Sequence, residues 1–405
     1  MRGKPFAGFD FWIFIPAVVL TLLGLVVIYS ATGADASFSS PFGKQVIWLA
    51  VSAVVAGLVM MTPPKTFNAF AMILYVLSII LLLAVLVLPY GGPGARRWLH
   101  FGPVGFQPSE FAKFALVLTL ARIMSDRRFR KDNLQGVILP VVVTAIPFLL
   151  VLVEPDLGTA LVFGVVLLAM LFWSGARTIF LFFLITPLVS VAAAFHLVSW
   201  LVFFAVLIVC IYAFRVHLTE AVPLLVINSG IGIATPLIWN SLKTYQQKRI
   251  LSFLNPGLDP RGAGWHIIQS KIAIGSGGLW GKGILHGTQK KLEFLPQRHT
   301  DFVFSVIGEE LGFVGCVVVL FLFYMMIRRS IGIARTCKNK FSSLVCLGLI
   351  SYIGIHVVVN TGMTLGIIPV AGIPLLFLSY GGSSLLFSWV AVALILSIGK
   401  HRYEY

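Results

Sequence analysis

The stretch FWIFIPAVVLTLLGLVVIYSA, residues 11–31, contains no charged side chain. A helix needs ~20 apolar residues to cross the hydrocarbon core of a bilayer, so this segment predicts a membrane span. Working outward, eleven further apolar runs follow at about 44–62, 67–89, 110–125, 135–153, 158–174, 177–196, 198–214, 218–240, 302–327, 342–367 and 375–399. The expected fold is an all-α polytopic membrane protein of about twelve transmembrane helices, forming a single integral membrane domain over 1–405. The fourth run is short and polar on one face. The first run is long and has no small-residue cleavage site after it, so no cleavable leader is expected.

Composition agrees. Of 405 residues, 59% are hydrophobic and 11% are charged; mean hydropathy is +0.98. A soluble domain carries about 25% charged residues, so a soluble enzyme, a disordered chain and a secreted disulfide scaffold are excluded. The four cysteines show no metal or redox spacing.

Net charge is +16, from 30 Lys+Arg against 14 Asp+Glu. In a soluble protein that excess points to nucleic acid. In a membrane protein orientation comes first, because cytoplasmic segments collect Lys and Arg. With both termini cytoplasmic, 17 of the 30 basic residues fall inside and 13 outside or at the outer edge. Most of the outer ones lie in one large loop, 241–301. Solvated loop charge or anionic headgroups explain them plainly; the sharper reading is an anionic ligand at the outer face, and no nucleic acid.

Five motif clusters border that face. GGPGARRWLH (91–100) puts Arg96, Arg97 and Trp98 after helix breakers, and FQPSEFAK (106–113) opens a helix with Ser109 at a capping position. Arg forks suit phosphate oxygens. Glu110 and Lys113 are three apart and share a helix face, so they can pair. Glu154 and Asp156 occupy a tight outer turn, where Asp156 can cap the next helix or, with Glu154, meet a divalent cation or sugar hydroxyls. The stretch 264–278 reads as a short amphipathic helix ending in glycines. Asp301 stands where the chain re-enters the membrane, with Thr300 as a candidate cap. A helix dipole there would lower its pKa, so a basic Asp301 needs partial burial. Glu309 and Glu310, two turns further in, require partners. Small residues around Asn360, 369–374 and 379–384 read as close packing.

The motifs GARRWL, FQPSEFAK, EPDLGTA, GAGWHIIQSKIAIGSGGLWGKG, LHGTQKKLEFLPQRHTDFVFSVIGEELG and LSYGGSS together resemble the SEDS family (shape, elongation, division and sporulation), in its RodA-like form. The resemblance runs from about residue 11 to 399. It implies a peptidoglycan glycosyltransferase of the elongation or division machinery that takes lipid II, the undecaprenyl-diphosphate-linked disaccharide peptide, and works with a class B penicillin-binding transpeptidase. It implies the bacterial cytoplasmic membrane, with the active face outside. The family's essential aspartate falls on Asp301, its RRW loop on Arg96, Arg97 and Trp98, and its acid–lysine pair on Glu110 and Lys113. Lys271, His299 and Thr300 lie within matching stretches and are expected to contact substrate. The family usually has ten spans; residues 176–241 hold three apolar runs where it has one, an apparent two-helix insertion.

Joining a sugar hydroxyl to an anomeric carbon with departure of a lipid diphosphate needs a base and positive charge. The expectation is Asp301 as base, with Arg96, Arg97, Lys113 and loop cations at the diphosphate, and with Mg2+ or Mn2+ as a candidate cofactor. The rival classes are a lipid II flippase, which needs a polar path through the bilayer, and a non-catalytic scaffold for the transpeptidase.

Overall fold

In a computed structural model, the described residues are 9–33, 35–88, 97–101, 104–129, 131, 134–241, 247, 263–287 and 300–403. They form thirteen helices and one small hairpin: α1 (Phe11–Ala31), α2 (Pro41–Met61), α3 (Pro64–Val87), β1 (Leu99–Phe101), β2 (Val104–Phe106), α4 (Pro108–Ser125), α5 (Leu134–Val153), α6 (Leu157–Ser174), α7 (Thr178–Ala193), α8 (Leu197–Ala213), α9 (Leu218–Ser241), α10 (Ala263–Ser276), α11 (Val303–Thr336), α12 (Lys340–Thr364) and α13 (Gly382–Lys400). Among the described residues, nine helices are long and apolar enough to cross a membrane, and α7 and α8 are shorter apolar helices. The protein is a polytopic α-helical membrane protein. α4 falls outside the nine: it carries Glu110, Lys113 and Arg122, yet most of its residues are buried.

Three helices make the centre. α4, α12 and α13 are buried on nearly all sides, with α6 and α11 against α12, α3 against α4 and α2 against α13. Faces of α2, α3, α5, α8 and α9 leave large apolar side chains exposed, as lipid-facing helices do. α8 contributes one buried residue, Leu207, and packs on α7, which in turn packs on α9.

Local signals mark the ends. Asp10 caps α1 through Trp12 N at 3.2 Å and reaches Arg329 of α11 at 2.5 Å. Gly175, in the left-handed region at φ 83°, closes α6. Two expected caps are absent. Gln107, not Ser109, is the N-cap of α4, and Ser109 Oγ is buried without a hydrogen-bond partner among the described residues. Phe302, not Thr300, precedes α11.

Two departures from regular helix stand out. α11 breaks at Gly312 (φ 68°, ψ −165°). The 277–283 turn crosses the break: Lys282 N and Gly283 N donate to the carbonyls of Glu309 and Glu310, and Phe313 N and Val314 N donate to those of Gly278 and Leu279. Glu309 pairs with Lys282 at 3.0 Å, and Glu310 accepts from Ser30 Oγ at 2.5 Å. Second, the apolar run expected to start the last span at 375 is not helical until Gly382. Residues 366–381 form a coil whose Ile373 and Leu375–Leu378 are buried.

Candidate active site

Irregular backbone inside a membrane protein must find its hydrogen bonds within the protein. The 366–381 coil does so through side chains. Asn360 Nδ2 donates to Ile373 O (2.8 Å), His356 Nδ1 meets Pro374 O (2.9 Å), Ser379 Oγ accepts from Leu375 N (2.8 Å), and Gln45 binds both Ser379 O and Gly381 N. The same groups hold the chain before α11. Ser379 Oγ donates to Thr300 O at 2.6 Å, and Asn360 Nδ2 donates to Asp301 O at 2.9 Å.

Asp301 is therefore fixed through its backbone, and its carboxylate is left to face the coil. A Cβ at Gly372 would lie 3.7 Å from Asp301 Oδ2. Burial raises the Asp301 pKa to about 6; Asp156 raises it further and Arg97 opposes the rise. Burial outweighs the dipole effect expected from the sequence.

The opposing wall is the turn between α5 and α6. Asp156 caps α6 by accepting from Thr159 N at 3.1 Å. Arg97, entering from the segment before the hairpin, donates Nε to Glu154 O (3.2 Å) and Nη2 to Pro155 O, and sets Nη1 3.5 Å from Asp156 Oδ2. One guanidinium thus spans the whole turn, using its fixed fork of donors. Glu154 is buried, and its Oε1 has no hydrogen-bond partner among the described residues. Burial, then the nearby Asp156, pushes its pKa to about 8, with Arg97 again opposing. Arg97, Asp156 and Asp301 share one electrostatic neighbourhood, with Glu154 beside Arg97 and Asp156.

The Glu110–Lys113 pair forms as expected, at 2.7 Å with both side chains 2% exposed. It has two further partners. Lys113 Nζ lies 3.2 Å from His356 Nε2, and Tyr352 OH donates to Glu110 Oε2 at 3.1 Å. The charge of Lys113 is thus held in the interior. The hairpin β1–β2 pairs Leu99 with Phe106 and leads into α4, and Gln107 N is tied to Ser383 Oγ of α13 at 3.0 Å.

Other expected residues sit as follows. Trp98 is exposed at the hairpin's edge. Lys271 is exposed on α10, against Gly366 at the start of the coil. Arg96 and His299 lie outside the described residues. Tyr352, His356, Asn360 and Ser379 were not read as site residues. For the first three the available signal was a polar residue every fourth position in an apolar span. Among the described residues, no group of three His, Cys, Asp or Glu side chains is arranged to hold a metal ion.

A buried helical core thus sets a carboxylate of raised pKa beside an arginine-clamped acidic turn in a polytopic membrane protein. The family model for FtsW, RodA and SpoVE, described as a cell cycle protein, matches residues 11–202 and 197–404. The chain belongs to this family. It is 38% identical over 393 residues to peptidoglycan glycosyltransferase MrdB of Escherichia coli strain K12, covering 96% of this chain and 94% of MrdB. It is 35% identical to peptidoglycan glycosyltransferase RodA of Treponema pallidum, covering 99% and 100%. Among solved structures, a chain of a peptidoglycan synthase complex described for coordination of polymerization and crosslinking superposes with TM-score 0.73 at 29% identity, over 98% of this chain and 99% of that one. RodA of Thermus thermophilus superposes with TM-score 0.65 at 27% identity, over 98% of both chains.

Proposed function

We propose that this peptidoglycan glycosyltransferase polymerises lipid II at the outer face of the bacterial cytoplasmic membrane, with Asp301 as its base. The observation that carries the reading is the Asp301 carboxylate, partly buried, with a pKa raised to about 6, near the Arg97–Asp156 turn. A base is most useful when its pKa lies near the working pH.

In the proposed step, Asp301 takes the proton of the acceptor sugar's 4-hydroxyl as that oxygen bonds to the donor's anomeric carbon. The bond from that carbon to the lipid diphosphate breaks, and the diphosphate leaves with the electron pair. Arg97 and the exposed Lys271, with the basic residues of 241–301, supply positive charge for it. Glu110 and Lys113 shape the wall behind the site. A divalent cation, Mg2+ or Mn2+, enters the proposal only as an addition. Asp301, Asp156 and Glu154 offer hard oxygen donors, and the proposed step does not depend on the cation.

The topology that goes with this reading has twelve spans, α4 included, both termini cytoplasmic, and 241–301 outside, in one integral domain. The added helix pair of this reading lies among α7, α8 and α9, which run from Thr178 to Ser241. A class B penicillin-binding transpeptidase is the proposed partner.

Purified protein, alone and with its transpeptidase, is given labelled lipid II in vesicles. Glycan polymer lost in Asp301→Ala supports the reading. Normal polymer from that variant removes it; leaflet exchange without polymer indicates a flippase, and neither activity a scaffold.

A further inference from the structure

Tyr352, His356 and Asn360 stand four residues apart on α12 and share one face of it. They are 4%, 1% and 0% exposed. A buried polar stripe in a span is costly unless every group is matched, and it marks function by default. Here the partners point two ways. Tyr352 binds Glu110 and, at the other end, Asn360 binds Ile373 O and Asp301 O. His356 touches both sides: Nε2 faces Lys113 Nζ at 3.2 Å, and Nδ1 faces Pro374 O at 2.9 Å.

The two contacts assign the ring's hydrogen. A carbonyl only accepts, so Nδ1 carries the N–H. An ammonium only donates, so Nε2 presents its lone pair. The ring is a bridge with one donor and one acceptor end, and neither end can be reversed without losing a bond.

We propose that His356 is a positioning residue for glycosyl transfer, coupling the buried Glu110–Lys113 pair to the coil that walls Asp301. The coupling is geometric. His356 and Asn360, one turn apart, grip consecutive carbonyls, those of Pro374 and Ile373. The next residue back is Gly372, where a Cβ would lie 3.7 Å from Asp301 Oδ2. A coil that slips by a fraction of an ångström changes both the placement of that carboxylate and its access to water. A buried ion pair is weak evidence for stability, and its best-attested use is to specify one arrangement. Glu110–Lys113 gives the ring a fixed anchor, and α12 transmits it. This inference rests on Asp301 acting as the base.

The test uses the full-length protein in nanodiscs with its transpeptidase. Polymerisation of fluorescent lipid II is followed against substrate concentration and pH, beside thermal unfolding. Four forms are compared: wild type, His356→Phe, His356→Asn and Asp301→Asn. His356→Phe keeps the ring's bulk and loses both bonds. It is expected to lower kcat about tenfold or more, the scale of a sub-ångström misplacement, with KM little changed. Water reaching Asp301 also moves the acid limb of the rate profile from near pH 6 toward the ordinary aspartate range. His356→Asn restores a donor for Pro374 O but no acceptor for Lys113, so kcat and the acid limb fall between the other two.

A folded His356→Phe with wild-type kcat and acid limb overturns the proposal. So does a fall in kcat with the limb unmoved and no recovery in His356→Asn, which is the signature of a merely structural role. Should His356→Phe fail to fold, His356→Asn decides alone: full wild-type kcat shows that the Lys113 side of the bridge is not used. Loss of polymer in Asp301→Asn with normal His356 variants removes this inference and leaves Asp301 as base. Normal polymer from Asp301→Asn removes both.

Discussion

Arg97 and Asp156 stand 3.5 Å apart, and the same guanidinium donates to the carbonyls of Glu154 and Pro155. One side chain therefore holds both the charge and the backbone of the acidic turn opposite Asp301. Lysine carries a point charge without the fork, so Arg97→Lys should recover only part of the function. Arg97→Ala is expected to reduce polymerisation by about ten- to a hundredfold, the scale of a lost electrostatic donor. Because Arg97 lowers the pKa of both Asp301 and Glu154, the acid limb should also move to higher pH. Rates measured across pH separate this from simple loss of protein.

Asp301 is raised from 3.8 to about 6. As a base it must be ionised, so kcat/KM is expected to fall below about pH 6 with a slope of one. The stability effect has the opposite sense. Between pH 3.8 and about 6 the folded protein holds a proton that the unfolded chain has released, so this group's contribution to stability declines as pH rises through that window. Asp301→Asn removes the buried charge. It should abolish polymer and leave the neutral-pH melting temperature equal or higher.

Glu154, raised from 4.5 to about 8, is mostly protonated at neutral pH. Glu154→Gln should then be active at pH 7. The sign matches that of Asp301: its stabilising contribution is present below pH 4.5 and is lost as pH rises through about 8. The glutamine variant's advantage in thermal unfolding is expected to grow across that window and to be absent at its acid end.

Glu110 and Lys113 are both buried. Removing one partner strands the other charge, at a cost of about 3–5 kcal/mol. Glu110→Gln and Lys113→Met should each destabilise strongly. The double variant should be more stable than the sum of the two losses implies, which a double-mutant cycle in thermal or denaturant unfolding will measure.

Gly281 has φ +79°, and a Cβ there would stand 2.2 Å from Glu310 O. The turn that bridges the break in α11 has no room to yield, because that neighbour is backbone. Gly281→Ala is expected to cost roughly 1–3 kcal/mol, the scale of stored backbone strain, seen as a lower melting temperature. Gly57→Ala, inside α2 with open space around it, is the control that should not lower it, since alanine is favoured over glycine in a helix interior.

The apolar runs were legible as helices because a bilayer leaves few other choices. The run at 375 was the exception. Leu375–Leu378 are as apolar as a span, and apolarity does not separate a buried coil from a helix. The coil stands because Asn360, His356, Ser379 and Gln45 supply its hydrogen bonds. Three of these four sit in helices outside the run, so no pattern within the run itself announces them.

The chemistry divides in the same way. The Glu110–Lys113 pair and the cap by Asp156 followed from residue spacing, since both partners share one helix or one turn. The basic character of Asp301 did not follow. Read locally, its place before α11 predicts a lowered pKa; its surroundings raise it to about 6. Sequence by itself determined which long segments are apolar helices and where the charged and glycine-rich motifs fall between them, because both depend on local composition. Tertiary structure alone decided that Arg97, Asp156 and Asp301 share one electrostatic neighbourhood and that His356 joins Lys113 to the coil. Those contacts span tens to hundreds of residues, and burial, which sets the energy of a charge, belongs to the packed molecule.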